Sequence, residues 1–255
     1  MPAMFSRRAI STLALLAWIS AASGQTTLQL DLGLWDMAPG GDLSVGADLN
    51  AGTDLDIEED LGFDGSEKVW QARAIVGATH QFAVSYLAFE ADANSTIEQD
   101  IRFGEFSYPV STKVYTELQG DLMGLAYRYA GGSDTLRSGF LVGLELASLE
   151  VDVSASGIGK GKGDVATALP VIGVFAEWNP AVFLQLNGTV SGGAWDWQDT
   201  SVTFLDAEAS VRVLLFPFFG GIGYRHLAVQ GEDTSLPVEL DLTFSGPLWF
   251  AGLLF

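Results

Sequence analysis

The sequence predicts an all-β fold, a closed antiparallel transmembrane β-barrel. Apolar residues recur with period two along the chain, and short turns take turns with longer polar connections. After Gly24 no apolar run approaches the ~18 residues of a spanning helix, although mean hydropathy is positive. Apolar residues spread so evenly must line one face of many strands.

Residues 1–24 read as a signal peptide. Arg7 and Arg8 form a positive start, an apolar run follows from Ala9 to Ile19, and small residues from Ser20 to Gly24 offer a cleavage site. The barrel domain then spans 25–255. It contains no cysteine, so disulfides and thiolate metal sites are ruled out. Over the whole chain 12 basic residues face 32 acidic ones, a net charge of −20. Nucleic acid is therefore excluded as a partner, because phosphate binding needs a basic stripe.

The strands follow in order. Leu28, Leu30, Leu32 and Leu34 share a face opposite Gln29 and Asp31, and Trp70, Ala72, Ala74 and Val76 oppose Gln71 and Arg73. Alternation recurs with Leu87 and Phe89 against Glu90 and Asp92, and with Leu118 and Leu122 against Glu117 and Asp121. It recurs again with Phe140, Val142, Leu144 and Leu146 against Arg137 and Glu145, Leu184 and Leu186 against Gln185 and Asn187, and Leu205 to Val211 against Asp206, Glu208 and Arg212. A soluble sandwich alternates as well, with its apolar face inward, so connection lengths must decide. Tight turns fall at 79–81, 130–135, 179–180 and 216–218, and longer polar segments at 38–66, 95–112, 152–167, 194–201 and 230–237. This asymmetry fits periplasmic turns and extracellular loops and gives ten strands, or eight if two candidates merge into loops.

The last strand carries an odd-numbered apolar row, Trp249, Ala251, Leu253 and Phe255, preceded by an odd-numbered polar row, Glu239, Asp241, Thr243 and Ser245. That exchange predicts a bulge at Gly246-Pro247 to switch faces. Trp35, Trp70, Tyr129, Trp178 and Trp197 suit interfacial girdles, with Trp195 just outside the bilayer.

The segment GTDLDIEEDLGFDGSEKVWQARAIVGATHQFAVSYLAFEADANSTI, followed by RFGEFSYPVSTKVYTELQGDLMGLAYRY, resembles a group of uncharacterised bacterial outer-membrane β-barrel proteins of the small OmpA/OmpX/OmpW-like architecture. The shared features are the acidic DLxxDLG stretch, a histidine at the next turn and a small FGxxxYP hairpin. Trp249, Leu253 and Phe255 are similar to the carboxyl-terminal signal read by the barrel insertion machinery, although Phe250 stands where that signal has glycine. The resemblance implies export to the cell outer membrane, contact with outer-membrane lipid and lipopolysaccharide, and assembly by that machinery. It implies no agreed activity.

Twelve charged residues are expected to line the lumen: Arg73, Glu90, Asp92, Glu117, Asp121, Arg137, Glu145, Glu177, Asp206, Glu208, Arg212 and Arg225. They either pair and fill the barrel or leave a narrow acidic path for cations and small solutes. Asp54 to Asp64 form a solvated acidic loop without the spacing of a calcium loop, in which Leu55, Ile57, Leu61 and Phe63 offer an amphipathic turn that would fold onto the mouth. Gly157, Gly159, Gly161 and Gly163, alternating with Lys160 and Lys162, read as a flexible surface loop. His80 falls at a tight turn, and His226 has no serine at deacylase spacing. No catalytic, metal or cofactor residue is assigned, and a monomer is expected. Three function classes stay open: a structural barrel or narrow solute pathway, a surface recognition or adhesion protein acting through its loops, and a lipid-modifying enzyme.

Overall fold

The computed structural model describes residues 27–46, 52–197, 200–233 and 238–255. Residues 1–24, expected to be a signal peptide, lie outside them, as does the side chain of Trp197. Among the described residues thirteen strands run in chain order: β1 (Leu28–Val45), β2 (Leu55–Asp56), β3 (Glu67–Gly77), β4 (His80–Thr96), β5 (Ile101–Phe103), β6 (Phe106–Tyr108), β7 (Lys113–Gly132), β8 (Leu136–Ala155), β9 (Gly159–Ala181), β10 (Leu184–Trp197), β11 (Thr200–Leu215), β12 (Phe218–Asp233) and β13 (Val238–Leu254). Ten of these form the wall, each antiparallel to its neighbours, and β13 pairs with β1 to close it. The short β2 adds to β1, and β5 with β6 makes a separate hairpin.

The turns between β3 and β4, β7 and β8, and β11 and β12 lie where the sequence places them, whereas the β9–β10 turn falls at Val182-Phe183, because Asn179 and Pro180, expected to turn, still belong to β9. The opposite end differs from expectation. Segments 152–167, 194–201 and 230–237, read as loops, hold strand at most of their described residues: β8 runs to Ala155, β9 starts at Gly159, β10 runs to Trp197, β11 starts at Thr200 and β12 runs to Asp233. Strand β9 alone has 23 residues. At ~3.3 Å per residue and a tilt of ~45°, that rises about 50 Å, against ~30 Å of hydrocarbon. The wall therefore continues well past any membrane it crosses.

The glycine–lysine run explains how. Its lysines face outward and its glycines inward, so the segment keeps the period of two and lies flat as the start of β9. A Cβ on Gly161 would stand 2.6 Å from the carbonyl oxygen of Phe103, and one on Gly163 2.8 Å from Val45. Those glycines let the β5–β6 hairpin and the end of β1 pack straight onto the strand backbone. Tyr108 locks the hairpin there, its hydroxyl donating to Val153 O (2.7 Å) and accepting from Gly161 N (3.0 Å).

Strand β13 shows the governing pattern. Its register against β12 is constant from Phe218↔Leu253 to Asp233↔Val238, so Gly246-Pro247 makes no bulge and no face switches. Leu240, Leu242, Phe244, Leu248 and Phe250 all point inward and are buried. Glu239, Asp241, Thr243 and Ser245 share the outer face with Trp249, Ala251 and Leu253. The surroundings change from water to lipid while the face stays the same. The ladder to β1 is interrupted only opposite Gly246 and Pro247, where Trp35 Nε1 donates to Gly246 O (3.2 Å).

Near the turns the structure is a barrel with an apolar outer belt and a polar interior. At the other end it becomes two facing sheets. The β3–β4 ladder stops at Trp70↔Ala88, and the β9–β10 ladder stops at Ile172↔Gly192. Two residues further on, the register would bring Pro170, which has no N–H, opposite Ala194. Beyond these seams β4, β7, β8 and β9 form one sheet and β10 to β13 with β1 and β2 the other, enclosing a dry core as sandwich sheets do. Gly161→Val should loosen this upper region by about 1–3 kcal/mol through overpacking against Phe103. Hydrogen exchange would show faster exchange at Phe103 and Tyr108, with the lower belt unchanged.

Candidate functional site

The interior is the first candidate, and it is occupied at two levels. At the upper level Trp35 (0% exposed), Met37, Leu43, Phe103, Tyr108, Leu118, Val153, Leu169, Phe204, Leu242 and Phe244 fill the space between the sheets. Leu55, Ile57, Leu61 and Phe63 are buried among them, so the amphipathic turn folds onto the mouth. Trp35 is therefore a core residue and leaves the girdle. Trp70, Tyr129 and Trp178 do stand exposed on the outer face, while Trp195 is exposed at the upper edge of β10, at an inward-facing position of the ladder.

The acidic segment has a local explanation. Asp56 Oδ1 accepts from the backbone N–H groups of Glu58 and Glu59 (2.8 Å each), and Asp60 Oδ2 accepts from Asp56 N (3.0 Å). These carboxylates cap the turn that carries the buried residues. Across the ladders Asp56, Asp42 and Asp241 stand side by side. Desolvation, then the charges of Asp54, Asp56, Asp241 and Asp60, hold the Asp42 carboxyl above its ordinary range.

Below the dry core lies a layer of ion pairs. Arg73 Nη2 meets Glu208 Oε2 at 2.6 Å. Arg225 donates through Nε and Nη2 to Asp206 (3.0 and 2.9 Å) and through Nη1 to Gln71 Oε1 (2.6 Å), while its guanidinium lies 5.1 Å from the Trp35 ring. Arg212 faces Asp31 at 3.6 Å and lies 5.2 Å from both the Phe219 and Phe250 rings. Nearer the turns, Arg128 meets Glu177 at 3.3 Å and stacks 3.9 Å from Phe175. Arg137 meets Glu177 at 3.9 Å and donates to Ala78 O (2.7 Å). Glu145 points into the same space from β8. A cavity of about 20 Å³ remains beside Asp31, Gln71, Arg73 and Glu208, room for about one water.

Of the twelve expected lumen residues, Arg73, Arg137, Glu145, Glu177, Asp206, Glu208, Arg212 and Arg225 point inward. Glu90, Asp92, Glu117 and Asp121 point outward, which corrects the expectation. They sit on the outer face above the apolar belt, where water takes over from lipid, and the apolar partners Leu87, Ala91, Leu118 and Leu122 turn into the interior. Once those four leave the lumen, five arginines face five carboxylates among the described residues, and the interior has no acidic excess. Asp31, Gln71 and Arg128 belong to the layer although the sequence reading did not name them for it. Asp31 and Gln71 occupy the polar side of strands already identified, so the period itself was sufficient to find them.

The outer face carries charge ladders. Lys160 pairs with Asp152 (2.7 Å) and approaches Glu117 (4.0 Å), and Lys162 pairs with Glu150 (2.9 Å). Hydrogen bonds to Asp152 and Glu150 hold the two ammonium groups above the ordinary lysine range. Tyr86 donates to Asp121 (2.8 Å). His80 opens β4 on the outer face near the turns, its Nδ1 2.6 Å from Tyr127 Oη. His226 faces outward opposite Ser245 and Ala207, without a hydrogen bond or ion pair among the described residues. Trp249, Leu253 and Phe255 lie along one outer row of the closing strand.

No protein family matches the sequence, and no curated protein matches it. Solved structures do match in shape. The outer-membrane protease OmpT from Escherichia coli superposes over 92% of this chain and 100% of its own, with a TM-score of 0.59 at 9% identity. The fold is that of an outer-membrane β-barrel. The attachment invasion locus protein Ail of Yersinia pestis covers 91% of this chain and 99% of its own, with a TM-score of 0.39 at 7% identity. Neisserial surface protein A covers 89% and 95%, with a TM-score of 0.31 at 12% identity.

Two outcomes test this picture. Arg225→Ala strips the partner from Asp206 inside the wall and should cost about 3–5 kcal/mol, read as a lower urea midpoint in detergent. Replacing Arg225 and Asp206 together by apolar residues should recover much of that loss, and a double variant as weak as the single one would contradict the pairing. Asp42→Asn should stabilise the mouth at neutral pH. A raised carboxyl pKa means that the folded wild type binds its proton earlier than the unfolded chain, so its stability rises as pH falls through that pKa. The thermal-midpoint gap between variant and wild type should therefore shrink towards pH 4, and a pH-independent gap would contradict the charge account.

Proposed function

We propose that this protein is a plugged β-barrel of the bacterial outer membrane that works by recognition at its extracellular surface and passes no solute. The observation that carries this reading is the double filling of the interior, a dry core above a charge-balanced ion-pair layer. A cation path needs water-lined space and a net field, and this interior supplies neither. Unpaired charge inside a narrow barrel is costly, so paired arginines and carboxylates serve as filling.

The apolar outer belt, long strands and closed wall support insertion in a bilayer, with the tight turns on the periplasmic side. On this reading residues 1–24 direct export, Trp249, Leu253 and Phe255 engage the insertion machinery, and the belt contacts lipid and lipopolysaccharide. What remains for function is the tall wall outside, whose outer face is polar and whose mouth is sealed. Hydrolysis would need a histidine oriented by a carboxylate, and His80 and His226 both lie on the outer wall away from such a partner.

Planar bilayers provide the test. Purified protein should insert, migrate anomalously on unheated gels and show no unitary currents in 1 M salt. Regular channel events from the wild type would overturn the reading. Deleting residues 97–112, which carry the β5–β6 hairpin, should not by itself open a channel, because the ion-pair layer remains below it.

A further inference from the structure

The outer face of the upper sheet carries a concavity of about 520 Å³ where β4, β7, β8 and β9 run side by side. Its polar lining is Asn94, Lys113, Tyr115, Ser154, Ser156 and Lys160, and no carboxylate lines it. In a chain with 32 acidic and 12 basic residues this is an exception, since the surrounding outer face carries Glu90, Asp92, Glu117, Glu150 and Asp152.

The strand register sets the geometry. Asn94 is opposite Tyr115, Tyr115 opposite Ser154, and Ser154 opposite Lys160. The four side chains stand in one row across four strands, and at ~4.8 Å between strands the row spans about 14 Å. That length suits two linked sugar rings. Tyr115 is 40% exposed, so its ring offers a flat apolar surface in the middle of the row. The Ser154 hydroxyl already donates to Tyr115 O at 3.3 Å, which leaves its lone pairs to accept. The Asn94 amide has no side-chain partner among the described residues and offers both a donor and an acceptor.

The two cations differ. Lys160 is held by Asp152 at 2.7 Å, whereas Lys113 makes no ion pair among the described residues. Lys113 is therefore the group available to an incoming negative charge, since the carboxylates of Asp152 and Glu117 stand beside Lys160.

We propose that this row is a binding site for a short saccharide bearing one anionic substituent. A sugar ring lies on Tyr115, its hydroxyls meet Asn94 and Ser154, and its phosphate or carboxylate reaches Lys113. The inference rests on the reading of the barrel as a surface recognition protein, and it names the ligand class. The same chemistry occurs in the core sugars of outer-leaflet glycolipid and in free anionic glycans.

Isothermal titration of the full mature chain in detergent, with trehalose 6-phosphate, trehalose and inorganic phosphate as probes, tests it. The phosphorylated disaccharide should bind saturably and at least fivefold more tightly than trehalose, and inorganic phosphate alone should not saturate. Tyr115→Ala should weaken trehalose 6-phosphate at least tenfold. Lys113→Gln should abolish the preference for the phosphorylated sugar while weak trehalose binding persists. Both positions lie on the outer face, and unchanged heat-modifiable migration verifies that each variant folds.

Competition by purified lipopolysaccharide would assign the site to glycolipid, and its failure beside intact trehalose 6-phosphate binding would assign it to free glycans. No sugar binding, or phosphate binding indifferent to Tyr115→Ala, would overturn the site. Bilayer recordings on the same preparation keep the two claims apart, because a silent bilayer with no sugar binding sinks the site alone.

Discussion

An unbroken period of two, carried through two solvents, is the constraint on which the rest of this structure depends. A β-strand sends alternate side chains to opposite faces, and a shift of one residue would exchange every one of them. Strand β13 runs from Val238 to Leu253 without such a shift against β12. Its inner face must therefore suit the barrel interior along its full length, while its outer face meets lipid at Trp249 and Leu253 and water at Glu239 and Asp241. The chemistry of each face is set by what surrounds it at that height. Lipid outside permits polar groups inside, whereas water outside requires an apolar interior to hold the sheets together.

Both fillings follow from this division. Where the belt faces lipid, the interior is narrow, and planar guanidiniums fill it best because each can pair with a carboxylate and stack on an aromatic ring. Among the described residues all five inward cations are arginine, and every lysine is exposed on the outer face. Higher up the wall opens at two seams and the sheets face each other. Material from the β1–β3 and β4–β7 connections then completes the core.

Much of the fold was legible in the sequence. The strand sites, three of the four tight turns, the count of ten and the burial of Leu55, Ile57, Leu61 and Phe63 all follow from local pattern. The misplaced carboxylates have one physical origin. Reading polar as lumen-facing holds only inside the bilayer, and nothing in period two marks where the bilayer ends. Glu90, Asp92, Glu117 and Asp121 obey the alternation and still face outward. The glycine–lysine run misled for a related reason, since glycine reads locally as flexibility, whereas here its missing Cβ is what the hairpin packs against. Trp35 could not be recognised as core because its hydrogen-bond partner Gly246, on the adjoining strand β13, is 211 residues away in the chain.

The closing seam has a bearing on assembly. Trp35, Met37 and Leu43 of β1 and Leu240, Leu242 and Phe244 of β13 belong to the same dry core, and they come together only when the first wall strand meets the last. The wall therefore cannot close without these six side chains meeting, and the core cannot be complete while the seam is open, so the apolar contact at this end holds the two edge strands together as well as their backbone ladder does.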